Sequence, residues 1–132
     1  MPRKRGERVA RILVIDDEPL VRDMVRQILE RAGYEVLDAP DGKVGMQRVR
    51  EQVFDLVITD ILMPEQEGIE TIRMLHREFP QIRILAISGG GRRGKLDVLP
   101  VAEVFGAHRS LAKPFERKEL LDVVSSLLKE SA

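Results

Sequence analysis

The sequence predicts a single α/β domain built on a parallel β-sheet. Two observations indicate this fold. Short apolar runs of strand length alternate with longer segments that carry apolar residues at helical spacing, as in a series of βαβ units. The 132 residues also match the size of one domain with a substantial core. We therefore expect helices to cover both faces of the sheet.

The pattern predicts five strands and five helices in alternation. Pro19 suits the first turn of the first helix, Gly33 suits the position after its end, and Asp41 suits the N-cap of the second. Pro80 ends the third helix, and Pro100 makes the fourth the least regular. The predicted strands are Arg11–Ile15, Glu35–Ala39, Leu56–Thr59, Ile82–Ile87 and Arg109–Ala112, and the predicted helices are Pro19–Ala32, Gly42–Arg50, Gly68–Glu78, Lys95–Phe105 and Glu116–Lys129.

The composition argues against several classes of protein. Lys and Arg total 22 and Asp and Glu total 22, so bulk charge favours neither nucleic-acid nor membrane binding. The absence of cysteine excludes disulfides and thiolate metal sites, and no apolar stretch approaches the roughly 20 residues of a membrane span. Residues 1–9 are basic without a following apolar segment, so we expect a flexible leader before a domain at 10–130, in a cytoplasmic protein.

Polar side chains follow four of the predicted strands. Asp16 and Asp17 come after the first strand, Asp60 after the third, Ser88 after the fourth and Lys113 after the fifth. One Asp at such a position is commonly only a turn former. Because ligands of open α/β sheets bind beyond the carboxyl ends of the strands, agreement among four strand ends favours a functional site.

The chemistry of these groups indicates phosphoryl transfer. Three carboxylates within about 5 Å repel one another by roughly 3 kcal/mol per pair at an effective dielectric near 20, so a cation or a proton must offset them. All-oxygen ligands favour Mg²⁺. A divalent cation, an ammonium and a hydroxyl around one carboxylate can stabilise a transferring phosphoryl group. Asp60 lies on the expected central strand, which makes it the better nucleophile.

Four segments resemble the receiver domain of two-component response regulators. They are Val14–Pro19, Asp60–Gly68, Ile87–Ser88 and Lys113–Phe115, and the resemblance extends over residues 10–129. It implies a flavodoxin-like (βα)₅ fold whose five-stranded parallel sheet has the order 2-1-3-4-5. It also implies a phosphoacceptor in a two-component phosphorelay, a protein that is not an enzyme but assists its own phosphorylation and dephosphorylation.

The resemblance implies a role for each acidic residue. Asp60 would accept a phosphoryl group from the phosphohistidine of a histidine kinase or a histidine phosphotransfer protein. Asp17, Asp60 and the backbone carbonyl of Leu62 would bind Mg²⁺ directly, with Mn²⁺ as a substitute, and Asp16 would act mainly through water. We expect a monomer or weak homodimer that contacts neither membrane nor nucleic acid.

The remaining residues of the site would report phosphorylation. Ser88 and Lys113 would bind phosphoryl oxygens, and Pro114 would follow a cis peptide bond. The change would reach an unidentified downstream protein through the surface of the fourth helix, fifth strand and fifth helix. The aromatic residue usual on the fifth strand is absent, because Ser110 occupies its position. We interpret His108 as a surface residue at the start of that strand.

Three alternatives stay open at this point. The chain, which has no output domain among its 132 residues, could be a receiver cut from a longer response regulator or hybrid kinase. A phosphatase of the haloacid dehalogenase type also uses an Asp nucleophile, but it needs a second acid where Leu62 stands. An FMN-binding flavodoxin is disfavoured because Asp16, Asp17 and Glu18 would repel the phosphate of the ligand.

Overall fold

The computed structural model describes residues 9–61, 67–88, 103 and 105–130. These ranges contain five strands and four helices. The strands are β1 Arg11–Ile15, β2 Glu35–Ala39, β3 Leu56–Asp60, β4 Arg83–Ser88 and β5 Arg109–Ala112, and the helices are α1 Pro19–Arg31, α2 Gly42–Glu51, α3 Glu67–Glu78 and α4 Arg117–Glu130. Helix α4 is the fifth helix predicted from the sequence. The fourth predicted helix, Lys95–Phe105, falls mostly outside the described residues.

The strands form one parallel sheet in the order β2-β1-β3-β4-β5, which confirms the predicted fold. Two strands extend one residue further than predicted, so that Asp60 ends β3 and Ser88 ends β4. The register pairs Asp60 with Ile87, and the amide of Ile61 donates to the carbonyl of Ile87 at 3.0 Å. The two polar strand ends therefore lie side by side.

Each face of the sheet carries its own hydrophobic layer. Alternation along β1 sends Leu13 and Ile15 to one face and Ile12 and Val14 to the other. One layer includes α2 and α3 and the other includes α1 and α4. Within the described ranges, every helix is too short or too polar to cross a bilayer. The layers leave the carboxyl edge of the sheet as the place where polar groups gather.

Local signals set the helix ends as the sequence predicts. Pro19 occupies the start of α1, where the missing N–H costs no hydrogen bond. Gly33 follows α1 with a φ of 101°, a left-handed conformation that glycine adopts without steric cost. The side chain of Asp41 accepts a hydrogen bond from the Val44 amide at 2.9 Å and caps α2.

His108 joins β4 to the start of β5 and corrects one sequence interpretation. It is half-buried, not a surface residue, and its Nδ1 accepts a hydrogen bond from the amide of Ile84 at 3.0 Å. The amide of His108 in turn donates to the Ile84 carbonyl at 2.8 Å. Burial lowers the pKa of His108, and the nearby charges of Arg83 and His76 add to that effect, while Glu130 opposes it.

We predict that His108 makes the fold less stable in mild acid. Its pKa is lowered by folding, so the unfolded chain binds the proton more readily and stability is lost as the pH falls below about 6.5. Between about pH 7.5 and 5.5 we therefore expect the free energy of unfolding of the wild type to fall through protonation of this group. Urea unfolding at both pH values measures the loss.

His108→Asn should remove most of that loss, because the amide oxygen of Asn can accept from the Ile84 amide without titrating. The comparison variant is His76→Asn, at the other histidine of the chain, which lies exposed on α3. Because the charge of His76 contributes to lowering the pKa of His108, this variant should reduce the acid-induced loss only in part. An equal acid-induced loss in wild type and His108→Asn would contradict the prediction.

Candidate functional site

The fold brings the predicted acidic residues together at the carboxyl edge of the sheet. Asp16 and Asp17 follow β1, and Asp60 ends the neighbouring strand β3. One carboxylate oxygen from each of the three lies within 4.8 Å of the others. Asp16 and Asp60 are buried, whereas Asp17 is exposed. Such a group of hard oxygen atoms, open on one side, can hold a divalent cation that keeps part of its water shell.

The ammonium group of Lys113 lies among the carboxylates. Its Nζ donates to Asp16 Oδ2 and Asp60 Oδ2, both at 3.1 Å, and to Glu18 Oε1 at 3.3 Å. Burial alone would lower the pKa of Lys113, but the charges of Asp60 and Asp16 and the hydrogen bonds to both carboxylates together outweigh it, so the pKa is raised. The lysine therefore stays protonated and neutralises part of the acidic cluster.

Asp16 is held at its side chain by two donors. Oδ1 accepts from the amide of Glu18 at 2.9 Å, and Oδ2 accepts from Lys113. Burial nevertheless raises the pKa of Asp16, since the loss of hydration exceeds the lowering effect of these two donors. The cluster is short of positive charge, and a bound cation would stabilise the ionised form of this residue.

Ser88 and Lys113 are linked through the backbone. Ser88 is buried at the end of β4, and its carbonyl accepts from the Lys113 amide at 2.7 Å. The Lys113–Pro114 peptide bond is cis. The hydrogen bond between Lys113 and Ser88 joins the end of β4 to the loop after β5, beside the acidic cluster.

Helix α3 begins in direct contact with the end of β3. A Cβ placed on Gly68 would lie 2.4 Å from the carbonyl oxygen of Asp60 and 2.4 Å from the Cα of Ile61. No side chain fits in that space, so the position requires glycine. The glycine at position 68 of the motif Asp60–Gly68 is explained by sterics, because the start of α3 lies directly against the backbone of Asp60.

Three further residues complete the comparison with the sequence. Leu62, the expected carbonyl ligand, lies outside the described residues. The hydroxyl of Ser110 donates to Glu103 Oε2 at 2.8 Å, so the position of the missing aromatic residue holds an exposed polar contact. Glu18 was missed as a partner of Lys113, although its place beside Asp17 in the motif could have indicated it.

Comparisons with known proteins agree with the fold and with the site. Residues 12–125 match the family model of the response regulator receiver domain. A probable transcriptional regulatory protein of Picosynechococcus is 38% identical, over 91% of this chain and 49% of its own. The chemotaxis protein CheY of Treponema pallidum is 34% identical, over 90% of this chain and 83% of its own. Among solved structures, the fold is similar to that of the response regulator protein TrrA of Thermotoga maritima, crystallised in complex with Mg²⁺-BeF. The TM-score is 0.77 and the sequence identity 29%, and the match covers 90% of this chain and 99% of TrrA.

The chain therefore belongs to the response regulator receiver family, which consists of phosphoacceptor signalling domains of two-component systems. The chain spans about half, 49%, of the length of the Picosynechococcus relative. The acidic cluster of Asp16, Asp17 and Asp60 has the composition expected of the magnesium and phosphoacceptor site of the family.

We predict that Lys113→Met lowers stability in EDTA and strengthens the response to Mg²⁺. The substitution leaves Asp16 and Asp60 buried without their ammonium partner, which should cost roughly 2 kcal/mol, less than a fully enclosed orphan charge because the rim is solvated. Mg²⁺ should then raise the melting temperature more than in the wild type, because the carboxylates have lost the positive charge of the lysine and attract the cation more strongly.

Thermal unfolding with EDTA and with Mg²⁺ measures both effects. Lys118→Met is the control, since Lys118 pairs with Asp122 at 3.0 Å but is largely exposed on α4. The interpretation of Lys113 fails if its variant matches the control in EDTA.

Proposed function

We propose that Asp60 accepts a phosphoryl group from a phosphohistidine, as a receiver in a two-component phosphorelay. One observation supports this assignment most. Asp60 is the buried carboxylate at the end of β3, beside the acids that follow β1, and it accepts a hydrogen bond from the Lys113 ammonium. The position combines a nucleophile, a site for a divalent cation and a fixed positive charge.

The transfer is a displacement at phosphorus. A carboxylate oxygen of Asp60 forms the new P–O bond while the P–N bond to the donor imidazole breaks, and the imidazole leaves with the electron pair. Mg²⁺, held by Asp17, Asp60 and the Leu62 carbonyl with Asp16 acting through water, would neutralise charge on the phosphoryl oxygens. Lys113 would shift one of its N–H donors from a carboxylate to a phosphoryl oxygen. The Ser88 hydroxyl would donate to a second phosphoryl oxygen.

The choice of cofactor rests on the donors and on one relative. The three carboxylates offer only oxygen, which suits Mg²⁺ or Mn²⁺. The TrrA receiver, whose fold this chain shares, forms a complex with Mg²⁺-BeF. A fluoride complex of beryllium resembles a phosphoryl group, so the same pair of ligands suits the proposed site.

The proposed signalling role names the phosphoryl donor, the domain and the surface that responds. The donor would be a histidine kinase or a histidine phosphotransfer protein in the cytoplasm, and residues 10–130 would form the receiver, preceded by a flexible basic leader. The chain would assist its own phosphorylation and dephosphorylation without acting as an enzyme on other substrates. A phosphoryl group of about −1.5 to −2 charges would replace the single charge of the Asp60 carboxylate at the edge of the sheet, which can alter the surface formed by β5, α4 and the predicted helix Lys95–Phe105.

We predict that acetyl phosphate labels the wild type in the presence of Mg²⁺ and that Asp60→Asn abolishes the labelling. An amide is a poor nucleophile and a weaker cation ligand than a carboxylate, so both requirements are lost. Intact-mass spectrometry measures the addition of one phosphoryl group. EDTA should prevent labelling of the wild type.

Asp122→Asn is the control, because Asp122 is an exposed carboxylate on α4, away from the site. We expect it to be labelled like the wild type. Labelling that persists in Asp60→Asn would overturn the assignment of the phosphoacceptor.

A further inference from the structure

Arg22 contacts the backbone of the acidic cluster. It lies on α1, and its Nη1 donates to the carbonyl oxygen of Asp16 at 2.8 Å. The side chain is only 20% exposed, which is low for an arginine on a surface helix. This contact reaches back across the turn that carries Asp16 and Asp17.

The contact completes the fixation of Asp16. The Asp16 amide donates to the Ala39 carbonyl on β2 at 3.2 Å, and the Asp16 carbonyl accepts from Arg22. That carbonyl belongs to the peptide group that joins Asp16 to Asp17. Since a peptide group is planar, holding its oxygen also holds the N–Cα bond of Asp17. The direction of the Asp17 side chain is therefore set in part by Arg22.

Arg22 is itself supported from β2. Its Nε lies 3.7 Å from Asp38 Oδ2, and Arg48 donates to the Asp38 carbonyl at 2.7 Å. Asp38 at the end of β2 thus supports the Arg22 guanidinium, which in turn holds the turn that carries Asp16 and Asp17. A guanidinium group can make both contacts at once because its donors lie in a rigid plane.

We infer that Arg22 is a positioning residue for cation binding, which acts by fixing the Asp16–Asp17 peptide group so that the exposed Asp17 carboxylate faces Asp60. This inference rests on the proposed function only for the presence of a cation at the cluster. It assigns no contact between Arg22 and the cation.

Electrostatics and positioning predict opposite outcomes when Arg22 is neutralised. Loss of a positive charge near the cluster favours a bound cation through Coulomb's law, so a purely electrostatic role predicts tighter binding of Mg²⁺. Loss of the hydrogen bond frees the turn and disorders Asp17, so a positioning role predicts weaker binding. Residues that orient metal ligands typically change affinity by 10-fold or more when they are replaced.

The test is the dissociation constant of Mg²⁺ for the unphosphorylated protein, measured by calorimetric titration. We expect Arg22→Met to raise the constant about tenfold. Arg22→Lys, which restores a donor of similar reach, should recover part of the affinity. In the Mg²⁺-free protein the amide NMR signals of Asp17 and Glu18 should shift or broaden in Arg22→Met.

Arg26→Met is the matched control. Arg26 lies one turn further along α1 and its Nε is 3.8 Å from the same Asp38 carboxylate, but its other ion pairs are to Asp23 and Glu30 on α1. We expect its Mg²⁺ affinity and the Asp17 signal to match the wild type. Unchanged or tighter binding in Arg22→Met, or equal weakening in both variants, would overturn the inference. Failure of the wild type to bind Mg²⁺ would instead contradict the proposed function.

Discussion

The contact between one ammonium group and three carboxylates is the interaction on which the site depends. Lys113 lies within 3.3 Å of oxygens from Asp16, Glu18 and Asp60, and two of these acids are buried. Buried like charges at this spacing would oppose folding if they were not compensated. The lysine makes the metal-free site tolerable, yet its single positive charge faces the negative charges of three carboxylates. The remaining deficit of positive charge favours binding of a cation.

The parallel sheet makes this arrangement possible. Strands β1, β3 and β4 lie side by side and end at the same edge, and the cores on both faces fix their register. Residues far apart in the sequence, such as Asp16 and Lys113, therefore meet without any specific long-range signal between them. The link from the Lys113 amide to the Ser88 carbonyl then aligns the last element with the others.

Much of this arrangement could be predicted from the sequence, for identifiable reasons. Buried strands are continuous apolar runs, and helix ends carry Pro, Gly or Asp, so element order and the four polar strand ends are visible in the chain. The sequence could not show which surface side chains turn back onto the site. Arg22 and Glu18 resemble ordinary solvated residues of a helix start, because their contacts depend on rotamers and on neighbouring strands. His108 was misjudged for the same reason, since its partner Ile84 lies on another strand.

The close approach at Gly68 has a mechanical consequence for signalling. Where helices pack on a sheet through long side chains, small displacements of a strand can be absorbed by rotamer changes before they reach the helix. Gly68, which brings the start of α3 against the Asp60 carbonyl, has no side chain that could absorb them. A movement of this carbonyl towards α3 must therefore displace the helix itself. The backbone of Asp60, the proposed phosphoacceptor, is in this sense part of the support of α3, and its position bears directly on the face of the domain that α2 and α3 cover.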